Sequence, residues 1–176
     1  CEVSVKRMDT RRNHTATHLL NFALREELGS HVGQAGSVVG PERLRFDFSH
    51  NQAMTADQIA AVEKRVNELV LADEAVSSTV MPLSEAKEIP GVRAVFGEKY
   101  PDPVRVIAIG TEDPREGGAA TAIEFCGGTH LWRTSQVGLF KIISEESVAK
   151  GVRRITAVTG HAAVEQVLRI DGLLRE

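Results

Sequence analysis

Asn13-His-Thr-Ala-Thr-His-Leu-Leu-Asn-Phe-Ala-Leu24 carries two patterns at once. Ala16, Leu19, Leu20, Ala23, Leu24 and, further on, Leu28 recur at three- and four-residue steps, the spacing of a helix that buries one face. Asp9 or Thr10 can cap its start, and Gly29 supplies its stop. His14 and His18 are four residues apart, slightly more than one turn, so both imidazoles fall on the same side of that helix. The pair sits off the centre of the apolar arc, where core packing alone would not place it.

Outward from this helix, stretches around Ser37-Val-Val and Leu44-Arg-Phe-Asp-Phe read as two strands joined through a turn at Gly40-Pro41. Thr55 and Gln58 form a capping-box pattern ahead of Ile59, Val62, Val66 and Leu69, a second helix with one apolar face. Further strands are predicted near 76 to 81, 104 to 109, 121 to 125, 137 to 143 and 153 to 158, with a short helix from Ser84 to Glu88. After a break at Thr159-Gly160, Ala162, Val164, Val167, Leu168 and Leu173 give a last helical pattern from His161 to Leu174. Helices and strands come in blocks rather than in βαβ units, which points to an α+β fold: a largely antiparallel sheet, the histidine-bearing helix and further packed helices. Residues 1–160 are expected to form one domain, and 161–176 a helix leading out of it.

The 176 residues, 42% apolar and 26% charged, suit one globular core. No apolar run approaches about eighteen residues and no leader pattern opens the chain, so a cytoplasmic protein without membrane contact is expected, with an organellar matrix as the alternative. Two cysteines, Cys1 and Cys126, are too few for a disulfide framework and suggest a reducing compartment with a thiolate free for metal. A net charge of -3 restricts nucleic-acid contact to local patches, of which Lys6, Arg7, Arg11 and Arg12 make one and Arg43, Arg45, Arg153 and Arg154 supply others.

Phe125-Cys-Gly-Gly-Thr-His130 contains the second chemically informative pair. A strand running into a glycine turn lets the Cys126 thiolate and the His130 imidazole face one point, and Cys with His is the donor set that zinc prefers. Either pair alone is weak; together they make four candidate ligands, His14, His18, Cys126 and His130. A helical zinc peptidase would carry Glu directly after the first histidine, where this chain has Thr15. A closed structural zinc site, or a zinc-stabilised nucleic-acid-binding module without catalysis, uses the same residue types.

Arg12-Asn-His-Thr-Ala-Thr-His-Leu-Leu, Gln34-Ala-Gly-Ser, Leu44-Arg-Phe-Asp-Phe-Ser-His, Phe125-Cys-Gly-Gly-Thr-His, Gly138-Leu-Phe-Lys-Ile and Gly151-Val-Arg-Arg-Ile-Thr-Ala-Val-Thr-Gly occur in this order. In these motifs the chain resembles the editing domain of alanyl-tRNA synthetases, over nearly its whole length from about Val3 to Gly160. Stand-alone editing proteins and the editing domain of threonyl-tRNA synthetases share the zinc pattern. The opening Glu2-Val-Ser-Val-Lys and the tail after Gly160 are similar to what flanks editing in the full synthetase, which implies a piece of a larger enzyme whose other domains are its partners.

The resemblance implies hydrolysis of the ester in Ser-tRNA(Ala) and Gly-tRNA(Ala), with the mischarged 3′ end entering the site and no role for DNA. Such a second sieve answers a real limit, since a pocket for alanine cannot strongly exclude glycine and rejects an added hydroxyl only about a hundredfold. His14, His18, Cys126 and His130 match the family's zinc positions, and zinc would either activate water or anchor the substrate. Thr17, Gln34 and Cys126 fall in the implied catalytic site. The Thr17 hydroxyl is placed to sense a serine hydroxyl, although a helix threonine can also bond its own backbone. Gln34 matches a pocket-lining position and could orient water or a ribose hydroxyl. Arg11, Arg12, Arg153 and Arg154 are the expected phosphate contacts. Asp47 and His50 are titratable but read as structural, and Trp132 reads as core or rim packing before a base-stacking surface.

Overall fold

The computed structural model describes residues 6–94, 99–117 and 120–175. Cys1 and residues 2–5 of the opening stretch lie outside these residues, and its last residue, Lys6, begins the first helix. Helix α1 (Lys6–Leu28) starts earlier than a cap at Asp9 or Thr10 would allow. Both residues lie within its first turns instead, Asp9 accepting from Arg12 and Thr10 donating to the Lys6 carbonyl. The helix ends where expected, at Gly29, whose φ of 113° suits glycine. Thr55 caps α2 (Ala56–Leu71) through the reciprocal bonds with Gln58 that the sequence predicts.

Strands β1 (Gln34–Val39) and β2 (Leu44–Ser49) form the expected antiparallel hairpin. They join β7 (Val152–Thr159) and β6 (Phe140–Ala149) in a four-stranded sheet of order β1-β2-β7-β6. A second sheet, of order β3-β4-β5, contains β3 (Val76–Met81), β4 (Val104–Ile109) and β5 (Ala122–Phe125). All pairings within both sheets are antiparallel, as the block order of elements implies, but the strands divide between two sheets rather than one. The strand expected from 137 begins only at Phe140, because Thr134–Val137 is a 3-10 turn closed by Gly138 at φ 71°. Helix α3 (Leu83–Lys87) links β3 toward β4, and α4 (Gly160–Arg175) follows β7, burying Ala163 and leaving Val164, Leu168 and Leu173 exposed. No described helix is long and apolar enough to cross a membrane.

Alternation explains the packing. Leu44, Phe46 and Phe48 of β2 all point inward, into one apolar cluster with Leu20 and Leu24 of α1 and Val62 and Val66 of α2. Strand β4 is buried on both faces: Ile107 and Ile109 join this main core, whereas Val104, Val106 and Ala108 join a second core with Met81, Ala86 and Phe125. The second sheet therefore lies between two apolar layers, and β5 delivers its C-terminal end to the side of α1.

Asn13 locks α1 into this frame. It is 1% exposed, donates from Nδ2 to the Gly40 carbonyl at 2.8 Å and accepts from the Thr159 hydroxyl at 2.8 Å. Replacing it with alanine strands a buried hydroxyl and a carbonyl, so Asn13→Ala should cost about 2 kcal/mol. Urea denaturation measures this, and an unchanged midpoint would show that the two groups find other partners.

Candidate metal centre and its cavity

His14 and His18 stand one turn apart on α1, while Cys126 and His130 flank the loop after β5. The fold brings the two pairs together across more than a hundred residues of chain, and one ligand atom from each of the four lies within 4.8 Å of all the others. Cys126 Sγ is 3.4 Å from His14 Nε2 and 3.3 Å from His130 Nε2. Those separations are close to the edges of a zinc tetrahedron, roughly 3.4 to 3.6 Å from ordinary Zn–N and Zn–S lengths.

Three further features fit a cation at this point. The buried His18 Nε2 has no hydrogen-bond partner among the described residues, whereas its Nδ1 faces Glu124 Oε2 at 2.7 Å. A carboxylate on Nδ1 is the arrangement that turns Nε2 outward as a ligand. Gly128 lies so close to His14 that a Cβ would fall 2.0 Å from the ring's Cε1. Burial pushes the Cys126 thiol up, but hydrogen bonds from His130 and His14 and the cation at His18 outweigh it and hold the thiol at about 3, in the thiolate form. Burial likewise lowers His18, yet Glu124 overrides it and raises the imidazole to about 10; His130 is carried down to about 4 by burial and the neighbouring imidazoles of His18 and His14, which outweigh the raising effect of Cys126. The described cluster can hold a metal ion and is compatible with zinc.

The loop is fastened from both sides. Arg105 of β4 donates to the carbonyls of Cys126 and Gly128, and Arg11 of α1 donates to the carbonyl of His130. Thr15 occupies the position where a helical peptidase carries its base, and its hydroxyl oxygen accepts the Leu131 N–H at 3.1 Å. Its role in this fold is to hold the loop.

His14, His18 and Cys126 open onto a cavity of about 790 Å³, a size ordinary for small-molecule sites. Thr17 and Gln34 line the same cavity, so the structure brings together all the residues expected for the catalytic site. The Thr17 hydroxyl donates to the Asn13 carbonyl at 2.8 Å, the helix-backbone bond weighed above, and keeps its oxygen as an acceptor.

A family model described as the threonyl and alanyl tRNA synthetase second additional domain matches residues 104–156. An alanine–tRNA ligase of Clostridioides difficile (strain 630) is 50% identical over 170 residues, 97% of this chain and 18% of that protein. One from Paracoccus denitrificans (strain Pd 1222) is 46% identical over 174 residues, 97% of this chain and 20% of that protein. One from the yeast Candida albicans is 51% identical over 166 residues, 90% of this chain and 17% of that protein. The chain is related to a segment of the alanine–tRNA ligases. It spans about a fifth of the length of the curated relatives it matches. The family model covers Cys126 and His130 but not α1, whereas the similarity to the ligases takes in both halves of the cluster.

Other expected site residues lie elsewhere. Arg153 and Arg154 make two-point ion pairs with Glu145 and Asp47 on the four-stranded sheet, outside the cavity. Arg12 is held by Asp9 and the Gln136 carbonyl. His50 stacks beside His31, with their ring nitrogens 2.9 Å apart, and Trp132 is 71% exposed rather than part of the core. The sequence reading missed Glu124, Asn21 and Arg93, which form a polar group behind His18: Asn21 Nδ2 donates to Glu124 Oε1 at 3.0 Å and Arg93 Nη1 lies 3.8 Å from the same oxygen. A charge inside the buried strand Ala122-Ile-Glu-Phe125 is the signal that could have found it.

Asp47 supplies a pH prediction. The hydrogen bonds from Arg154 hold its carboxyl below the ordinary value. Its contribution to stability is therefore present above about pH 4 and lost as pH falls through the lower folded value. Urea midpoints followed from about pH 6 to about pH 3 should fall less steeply for Asp47→Asn than for the native protein. Parallel curves would remove Asp47 from the acid sensitivity.

Proposed function

We propose that this chain is an editing domain that hydrolyses the ester of serine or glycine wrongly joined to tRNA(Ala), using zinc held by His14, His18, Cys126 and His130. The observation that carries this reading is the union of a three-nitrogen, one-sulfur donor set with a cavity that also holds Thr17 and Gln34. A purely structural zinc would be closed off, whereas His14 and Cys126 are only partly buried and face open volume. Similarity to alanine–tRNA ligases over 90 to 97% of the chain supplies the tRNA.

Zinc, when bound, supplies positive charge that polarises an ester carbonyl or lowers the pKa of water. The chain's own residues do the rest. His18 is fixed in orientation by Glu124, and the Cys126 loop by Arg105 and Arg11. The Thr17 oxygen accepts a hydrogen bond from a serine hydroxyl, which an alanine methyl cannot offer. Gln34, at the start of β1, orients water or a ribose hydroxyl with its amide. Lys99 puts positive charge on the cavity wall, suited to the terminal phosphates of the tRNA, whereas Arg93 on that wall is paired with Glu124.

The test is release of amino acid from Ser-tRNA(Ala) and Ala-tRNA(Ala) by the zinc-loaded chain. Serine should leave faster, and Thr17→Val should narrow the ratio of the two rates by about tenfold, the worth of one hydrogen bond. If Ser-tRNA(Ala) stays intact, even when the remaining domains of a ligase are added, the editing reading fails.

A further inference from the structure

A second depression, of about 280 Å³, borders the His130 end of the metal loop, with Arg7, Arg11, Arg105, Thr129, His130 and Trp132 among its lining. No carboxylate lines it among the described residues. This stands out in a chain whose net charge is -3. Arg11 and Arg105 are engaged with loop carbonyls, but Arg7 is exposed and makes no ion pair among the described residues. Trp132 is the largest exposed apolar surface there, with the Arg11 guanidinium 5.3 Å from its ring centroid. Its backbone N–H is fixed by Gln136 at 2.9 Å, so the indole rests on a fastened segment.

The two depressions share Arg105 in their lining, on one face of the β3–β4 pair. Val80 pairs with Arg105 and Ser78 with Ile107. Val80 and Arg105 line the large cavity, and Ser78, Arg105 and Ile107 line the small one. Successive same-face pairs on a strand lie about 7 Å apart, so the second depression begins one short step from the first.

We propose that this depression is a second RNA subsite, which takes an unpaired nucleotide just upstream of the aminoacylated end by stacking its base on Trp132 and setting its phosphate against Arg7. The inference rests on the reading of the large cavity as the site for that end. Aromatic faces and cations are the shared means by which proteins hold unpaired nucleotides without reading their sequence. An acidic peptide would use the arginines but gain little from a flat indole.

Trp132 is the chain's single tryptophan, so its emission reports this site alone. The probe is a tRNA(Ala) acceptor minihelix with its full single-stranded 3′ end, compared with one trimmed to a blunt end. The full-ended minihelix should quench Trp132 saturably and the blunt one should not. By anisotropy of the labelled minihelix, Trp132→Ala should weaken binding about tenfold, and Arg7→Glu should also lower the salt slope by about one. Absence of quenching, or equal binding of both minihelices, overturns the subsite. Serine release from Ser-tRNA(Ala) without quenching would sink this inference alone, whereas quenching without serine release, even with the remaining ligase domains added, would sink the editing reading and leave a nucleotide site.

Discussion

Gly128→Ala should abolish tight zinc binding while leaving the fold in place. A Cβ at 128 would stand 2.0 Å from His14 Cε1 and 2.6 Å from Nδ1, distances that non-bonded atoms do not tolerate. Something must move, and the loop is the harder of the two to shift, because Arg105 holds the carbonyls of Cys126 and Gly128 and Arg11 holds that of His130. The His14 ring is only partly buried and turns about two side-chain torsions, so it swings away. Its Nε2 then leaves the point it shares with Cys126 and His130. Loss of one ligand from four should weaken zinc by about a hundredfold or more, some 2.7 kcal/mol. Competition with a chromophoric chelator measures the affinity, and urea denaturation of the chelator-treated protein should shift by less than about 1 kcal/mol, since His14 lies outside the apolar core. Native zinc affinity in the variant would mean that His14 does not ligate, and the four-residue cluster would lose a member.

What the sequence made legible follows from where each signal resides. The helix bearing His14 and His18, the capping box at Thr55 and the alternation in Leu44-Arg-Phe-Asp-Phe are local patterns, and each forms the element expected of it. The division of strands between two sheets was not legible, because β4 is apolar on both faces and its periodicity does not say which neighbours it has. The metal cluster was legible as residue types, and the motif order supplied Thr17 and Gln34; that all of them line one cavity is a property of long-range packing. Arg153 and Arg154 looked like free cations for the same reason. Asp47 stands opposite Arg154 in the β2–β7 register, and Glu145 reaches Arg153 from β6, pairings that depend on strand order. Trp132 shows the reverse case, an apolar residue whose exposure only the packed fold reveals.

Glu124→Gln should separate charge from shape behind His18. In the native protein Glu124 Oε2 accepts from His18 Nδ1 at 2.7 Å and Oε1 accepts from Asn21 at 3.0 Å, with Arg93 nearby. A glutamine of the same size can still accept from His18 through its carbonyl oxygen. Its amide then faces Asn21, whose Oδ1 is buried without a hydrogen-bond partner and can turn to accept it. Hydrogen bonding is preserved, and what disappears is the negative charge that raises the basicity of His18 and balances Arg93. Zinc affinity should therefore fall by about tenfold to a hundredfold, the usual effect of losing a carboxylate behind a ligating histidine. Stability should fall as well, because the Arg93 guanidinium is left near a neutral group in a half-buried position. Arg93→Leu in the Glu124→Gln background removes that stranded charge and should restore stability without restoring zinc affinity. Recovery of both together would place the effect in general packing rather than in the charge on His18, and loss of neither would leave Glu124 without a role at the metal centre.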